Sequence, residues 1–179
     1  MQDELKEIKE QLGLVQVYTG EGKGKTTATL GLALRASGCG LKVVIVQFLK
    51  GQRELGEHKA AAKSGLFDII QPGLMTCIKG QNIEAAREAS REALKIAHEK
   101  IKECDVLICD EFNIAVKKGY VTIDEAIDFI KNKPAHTELI LSGRYAAPEV
   151  IELADLVSVI TPLKHYSSRG QGARKGIEF

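Results

Sequence analysis

A strand, a glycine-rich loop and a helix follow one another near the start of this chain, and no other stretch limits the fold so tightly. Residues 14–18, LVQVY, read as a buried strand, Thr19 to Gly24 as the loop, and Lys25 onward as a helix of threonines, alanines and leucines. The phosphate-loop pattern G-x-x-x-x-G-K-[ST], or Walker A, is met at Gly24, Lys25 and Thr26. Thr19 stands at its leading glycine position and Gly20 one place later. Glycines let successive backbone N–H groups converge on an anion, and the helix adds the positive end of its dipole at the same point. Lys25 supplies charge to phosphate oxygens, and the Thr26 hydroxyl suits a divalent cation. A chance GKT in a glycine turn is the bland alternative, and the flanking strand and helix count against it.

The rest of the chain repeats the alternation of strand and helix. Candidate strands are Leu14 to Tyr18, Lys42 to Phe48, Phe67 to Gln71, Asp105 to Cys109, Glu138 to Ser142 and Leu156 to Thr161. Several are apolar at successive positions, such as Val43-Val44-Ile45-Val46, as expected of strands covered by helices on both faces. Between them, Ile83, Ala86, Ala93, Leu94, Ala97 and Ile101 recur at helical spacing. Thr122 and Glu125 have capping-box spacing at the head of a helix that stops before Pro134. The fold class is therefore α/β with a mostly parallel sheet. At 179 residues, 44% of them hydrophobic, the length suits one domain.

Composition removes several function classes. The formal charge is +1, which offers no global basic field for nucleic acid or an anionic membrane. No apolar run nears the roughly 20 residues of a membrane span, and the acidic start MQDELKEIKE does not read as a leader, so a cytoplasmic protein is expected. Cys39, Cys77, Cys104 and Cys109 lack C-x-x-C spacing and read as reduced, mostly buried thiols.

Asp110-Glu111 ends a neighbouring parallel strand. That places two carboxylates at the sheet edge where ligands of open α/β sheets collect, facing the loop and its metal. Gly143-Arg144 follows the next strand, putting a guanidinium at the same edge. Arg35 lies on the helix after the loop, either paired locally or reaching toward the site. The tail from Lys164 to Phe179 is glycine-rich and basic; composition reads it as solvated, with binding of nucleic acid or an anionic ligand as the alternatives. These features indicate binding of a nucleoside triphosphate but leave open kinase, ATPase and transferase chemistry. The guanine-reading N-K-x-D is missing, since Asn132-Lys133-Pro134 lacks the aspartate.

In order and spacing, YTGEGKGKTTATLGLALRASG, VVIVQFLKG, DVLICDEF, LSGR, ELADLVSVITPLKH and GARKGIEF resemble the ATP:corrinoid adenosyltransferases of the phosphate-loop type, from about Val17 to Phe179. The resemblance implies a RecA-like P-loop NTPase fold, a three-layer sandwich over residues 13–179 with an N-terminal helical extension at 1–12. It implies transfer of the 5′-deoxyadenosyl group of ATP to the cobalt of a Co(I) corrinoid with release of triphosphate, in adenosylcobalamin biosynthesis or salvage. The alternative is a P-loop kinase or ATPase. Carried over by position, Thr19, Gly20, Glu21, Gly22, Lys23, Gly24, Lys25, Thr26, Thr27, Arg35 and Arg144 would bind ATP. Lys25, Glu111 and Arg144 would serve catalysis, and Thr26, Glu111 and Asp110 would hold Mg²⁺ or Mn²⁺. A flavoprotein reductase as electron donor is implied, together with a homodimer whose N-terminal helix covers the partner's site. Some relatives displace the lower axial ligand of cobalt with a pair of aromatics, one a tryptophan. This chain has no tryptophan, and Leu74, Met75 and Ile78 are the apolar residues that stand there.

Overall fold

The computed structural model describes residues 2–50, 55–72 and 83–178. Helix α1 (Gln2–Glu10) precedes β1 (Val15–Thr19) and α2 (Lys25–Gly38). Then come β2 (Val43–Gln47), α3 (Gly56–Ser64), β3 (Asp68–Ile70), α4 (Ile83–Lys100) and β4 (Val106–Asp110). The remainder is α5 (Phe112–Lys117), α6 (Ile123–Lys131), β5 (Glu138–Ser142), α7 (Pro148–Glu152), β6 (Leu156–Val159) and a 3₁₀ turn at Tyr166–Arg169. All six expected strands are present, most shifted or trimmed by a residue or two. Leu74, Met75 and Ile78 lie outside the described residues.

The six strands form one sheet in the order β3-β2-β4-β5-β1-β6, and every pairing is parallel. Successive side chains point to opposite faces, which explains the uninterrupted apolar runs. Val44, Val46, Leu107, Cys109, Leu139 and Leu141 pack with α4, α5 and α6 on one side. Val43, Ile45, Val106, Ile108 and Ile140 pack with Ala33 and Ala36 of α2 on the other. The result is helix, sheet, helix. In α6 the capping box closes as the spacing predicts: Glu125 N–H donates to Thr122 Oγ1 at 3.2 Å, and Thr122 N–H donates to the Glu125 carboxylate at 2.8 Å.

Helix α1 is docked rather than frayed. Leu5, Ile8 and Leu12 pack against the α2-side core, and Lys9 pairs with Asp105 at 2.9 Å, just ahead of β4. These contacts seat α1 at the edge where strands begin, whereas the phosphate loop follows the end of β1.

The strand beside β1 is β5, not β4. The strand ending in Asp110 is thus one place further from the loop than a neighbouring strand would be, and a residue of β5 fills the gap. Ser142 Oγ donates to Asp110 Oδ1 at 2.5 Å.

Candidate active site

The loop is built against the end of β6. A Cβ added to Gly20, at φ +98°, would sit 2.5 Å from the Ile160 carbonyl oxygen, and one added to Gly22 would sit 2.8 Å from it. Gly22 N–H donates to that oxygen at 2.7 Å, which fixes the loop but commits this amide to the fold. The first-turn amides of α2, which have no carbonyl partner within the helix, border the cavity with Lys23, Gly24, Lys25, Thr26 and Thr27. No side chain caps this helix and its first turn carries no acid of its own, which leaves the positive end of its dipole turned to the cavity.

Lys25 is buried inside the loop it follows. Its ammonium donates to the carbonyls of Gly20 at 2.7 Å and Gly22 at 2.6 Å. Burial lowers its pKa, the charge of Arg144 adds to the effect, and Glu111, Glu21 and Asp110 oppose it. Thr26 Oγ1 donates to Asp110 Oδ1 at 3.0 Å, and Lys50 Nζ lies 2.5 Å from Asp110 Oδ2. Both oxygens of this 1% exposed carboxylate therefore have protein partners.

Glu111 differs. Its Oε2 is buried and, among the described residues, has no hydrogen-bond partner. Burial raises its pKa, and so does the charge of Asp110, against a weaker pull from Lys50, Lys25 and Arg144. A left-handed backbone at φ 62° carries the chain over the sheet top here. Gly143 makes room for it, since a Cβ there would lie 3.3 Å from Glu111 Cα and from Asn113. A buried carboxylate oxygen without a partner among the described residues and a threonine hydroxyl, lining one cavity at a phosphate loop, are a donor set that fits a hard divalent cation.

The other sequence-predicted residues divide into two groups. Arg144 borders the cavity and pairs with Glu21 at 2.9 Å, both partly exposed. Lys23 donates to the Ile177 carbonyl at 3.4 Å. Thr19 is turned to the fold, where its Oγ1 accepts from Ala146 N–H at 3.2 Å. Arg35 is exposed in the last turn of α2 and is not among the residues lining the cavity.

Two contributors carry no role in the sequence reading, Lys50 and Ser142, and a third, the tail, reads there as solvated or ligand-binding. Lys50 stands in the quoted QFLKG but had no role assigned. Ser142 is an unremarkable strand-end serine until its contact with Asp110 is seen. The tail, though largely exposed, supplies a wall: Tyr166, Gln171, Ile177 and Glu178 border the same cavity of about 960 Å³ as the loop. Leu30, Leu34, Leu66 and Phe67 form an apolar flank, of which Leu34 and Leu66 remain 57% and 41% exposed. The cavity thus joins a cationic floor to an apolar side.

Residues 11–179 match the family model described as ATP:corrinoid adenosyltransferase BtuR/CobO/CobP. Corrinoid adenosyltransferases of Pseudomonas aeruginosa and Escherichia coli K12 are 31% and 34% identical to this chain; the alignments cover 99% and 97% of it and 89% of each relative. One from a Sinorhizobium species is 35% identical over 95% of this chain and 82% of its own length. The flagellar accessory protein FlaH of Methanocaldococcus jannaschii superposes with a TM-score of 0.59 at 17% identity, covering 83% of this chain and 71% of that one. This is a likeness of fold alone.

Proposed function

Because the chain belongs to the ATP:corrinoid adenosyltransferase family, we propose how its own residues carry the transfer of the adenosyl group of ATP to corrinoid cobalt. One observation supports the assignment of roles. The phosphate loop and the apolar flank of Leu30, Leu34, Leu66 and Phe67 face a single cavity of about 960 Å³, at the upper end of ordinary ligand sites.

In the reaction, the electron pair of Co(I) forms a bond to C5′ of ATP while the C5′–O bond breaks, and that bonding pair leaves with the triphosphate. No proton need be removed from a nucleophile, so the protein's task is to stabilise a departing polyanion. The first-turn amides of α2 and the Lys25 ammonium converge where that charge collects. Arg144, released from Glu21, adds a bidentate donor. Mg²⁺, or Mn²⁺, would be held by the free oxygen of Glu111 and the hydroxyl of Thr26, with Asp110 orienting that hydroxyl. It would supply Lewis-acid neutralisation of phosphate oxygens. Among the described residues no three His, Cys, Asp or Glu converge as a cage. A site completed by one carboxylate and the substrate's own phosphates is typical of Mg²⁺.

The apolar flank takes the face of the corrin ring, and an electron-donating flavoprotein reductase supplies Co(I). Helix α1 sits away from its own loop, a placement that leaves it to meet the loop of a second copy in a homodimer. A kinase or ATPase reading of the same loop is not favoured by the family.

Product analysis tests the assignment. With ATP, Mg²⁺ and chemically reduced cobalamin, each adenosylated corrinoid should be matched by one intact triphosphate while the Co(I) absorbance disappears. Release of ADP instead would refute it.

A further inference from the structure

Beyond Gln47 the chain passes through Phe48 to Leu49, whose φ of 59° is a left-handed conformation that a leucine adopts only against its own sterics. The next residue, Lys50, is turned back over the sheet top. Its ammonium reaches Asp110 Oδ2 at 2.5 Å and stands 3.8 Å from Glu57 Oε1. Thr26 and Ser142 occupy the other oxygen of Asp110. One position further along, the Glu111 Oε2 is also enclosed and, among the described residues, has no such partner. Two consecutive carboxylates therefore differ sharply in what they can offer.

Resting on the metal and triphosphate reading above, we propose that Lys50 is a positioning residue that commits Asp110 to the protein and leaves Glu111 as the one carboxylate open to the divalent cation. The physical reason is charge. Opposite charges in contact interact strongly in such a low-dielectric corner, so without the ammonium Asp110 would present a second free anion next to Glu111. That anion would draw the metal more tightly and repel the triphosphate the site must hold. Lys50 offsets the charge of Asp110 and lets that carboxylate act only by orienting the Thr26 hydroxyl.

The experiment measures Mn²⁺ alone by electron paramagnetic resonance, and inorganic triphosphate alone by calorimetry, on the full chain. Lys50→Met, which keeps the stem and removes the charge, should bind Mn²⁺ about tenfold more tightly and triphosphate about tenfold more weakly. In Asp110→Asn the ammonium is unmatched beside Glu111, so Mn²⁺ should bind about tenfold more weakly. The double variant Lys50→Met/Asp110→Asn carries neither charge and should return to the Mn²⁺ affinity of the unmodified chain, which keeps the test open even if Lys50→Met alone does not fold. Failure of the double variant to recover makes Asp110 a ligand and overturns the proposal. So does an unchanged affinity in Lys50→Met while Glu111→Gln abolishes binding. Mn²⁺ binding indifferent to Glu111→Gln overturns the metal reading and this proposal with it.

Discussion

Lys25 holds two loop carbonyls at 2.7 and 2.6 Å while lining the same cavity as the first turn of α2, so in the proposed role one ammonium serves both loop shape and phosphate charge. Lys25→Ala should lower kcat about a hundredfold or more, the size of effect seen when a preorganised donor to a developing anion is lost. Steady-state adenosylation of reduced cobalamin is the check, and an undiminished kcat would remove Lys25 from catalysis. Glu111 poses the converse case, in which function opposes stability. Its folded-state pKa lies above the ordinary carboxylate value because of burial, with Asp110 adding to it. The folded chain therefore holds that proton more tightly than the unfolded chain does. Its contribution to stability is present below the ordinary glutamate pKa and is lost as pH rises through the raised one. Glu111→Gln imitates the protonated form at every pH. It should leave the neutral-pH melting temperature equal or higher and flatten its change across that window, while adenosylation collapses. A lower melting temperature would mean that the carboxylate helps the fold, contrary to an Oε2 without a partner among the described residues.

Elements differ in how plainly the chain announces them, and α6 is the plainest. Its box of Thr122 and Glu125 needs only local spacing. Thr122→Ala should cost about 1 kcal/mol and lower the melting temperature by a few degrees with activity intact, since the cap lies outside the cavity-lining residues. The strands were equally legible, because burial on two faces leaves an unbroken apolar run. Strand order was not. Nothing in residues 105–110 states that β5 intervenes between β4 and β1, since that depends on how the crossovers pack. The candidate site divides along the same line. Lys25, Thr26 and the acidic pair were readable because a local motif carries them, and Arg144 because it follows a strand at the same edge. Ser142 and Lys50 act through residues remote in sequence, and only the assembled sheet top reveals their partners. Arg35, named by resemblance, is exposed in the last turn of α2 and apart from the cavity lining, a placement that the helix phase alone left undecided.

At the scale of the whole molecule, the cavity is closed by a segment that contributes little to what holds the molecule together. Among the described residues the apolar clusters draw on positions up to Ala154, yet Tyr166, Gln171, Ile177 and Glu178 wall the cavity beside the phosphate loop. A polar clasp shapes this tail. Glu178 accepts from Tyr166 Oη, from Arg174 N–H at 2.6 Å and from the Arg174 guanidinium at 3.2 and 3.3 Å. Those bonds, the Arg174 contact foremost, hold the Glu178 carboxyl down to about 2. The clasp is thus complete above the ordinary glutamate range and opens only as pH falls through that low value, so mild acid does not release it. Salt does act on it, because its charges are near the surface and screened. Ending the chain after Lys164 should therefore leave the melting temperature within a few degrees of the full protein, since none of the described tail residues belongs to an apolar cluster. The same truncation should raise the KM for ATP about tenfold with a smaller change in kcat, because it removes a wall of the binding site and not a group at the reacting atoms. Glu178→Gln, which weakens the clasp but keeps the wall, should show part of that rise, and added salt should bring the full chain toward it. Initial rates against ATP at saturating reduced cobalamin, run at two ionic strengths, decide the matter: equal KM values in all three proteins would mean that the tail merely lies beside the nucleotide and takes no part in holding it.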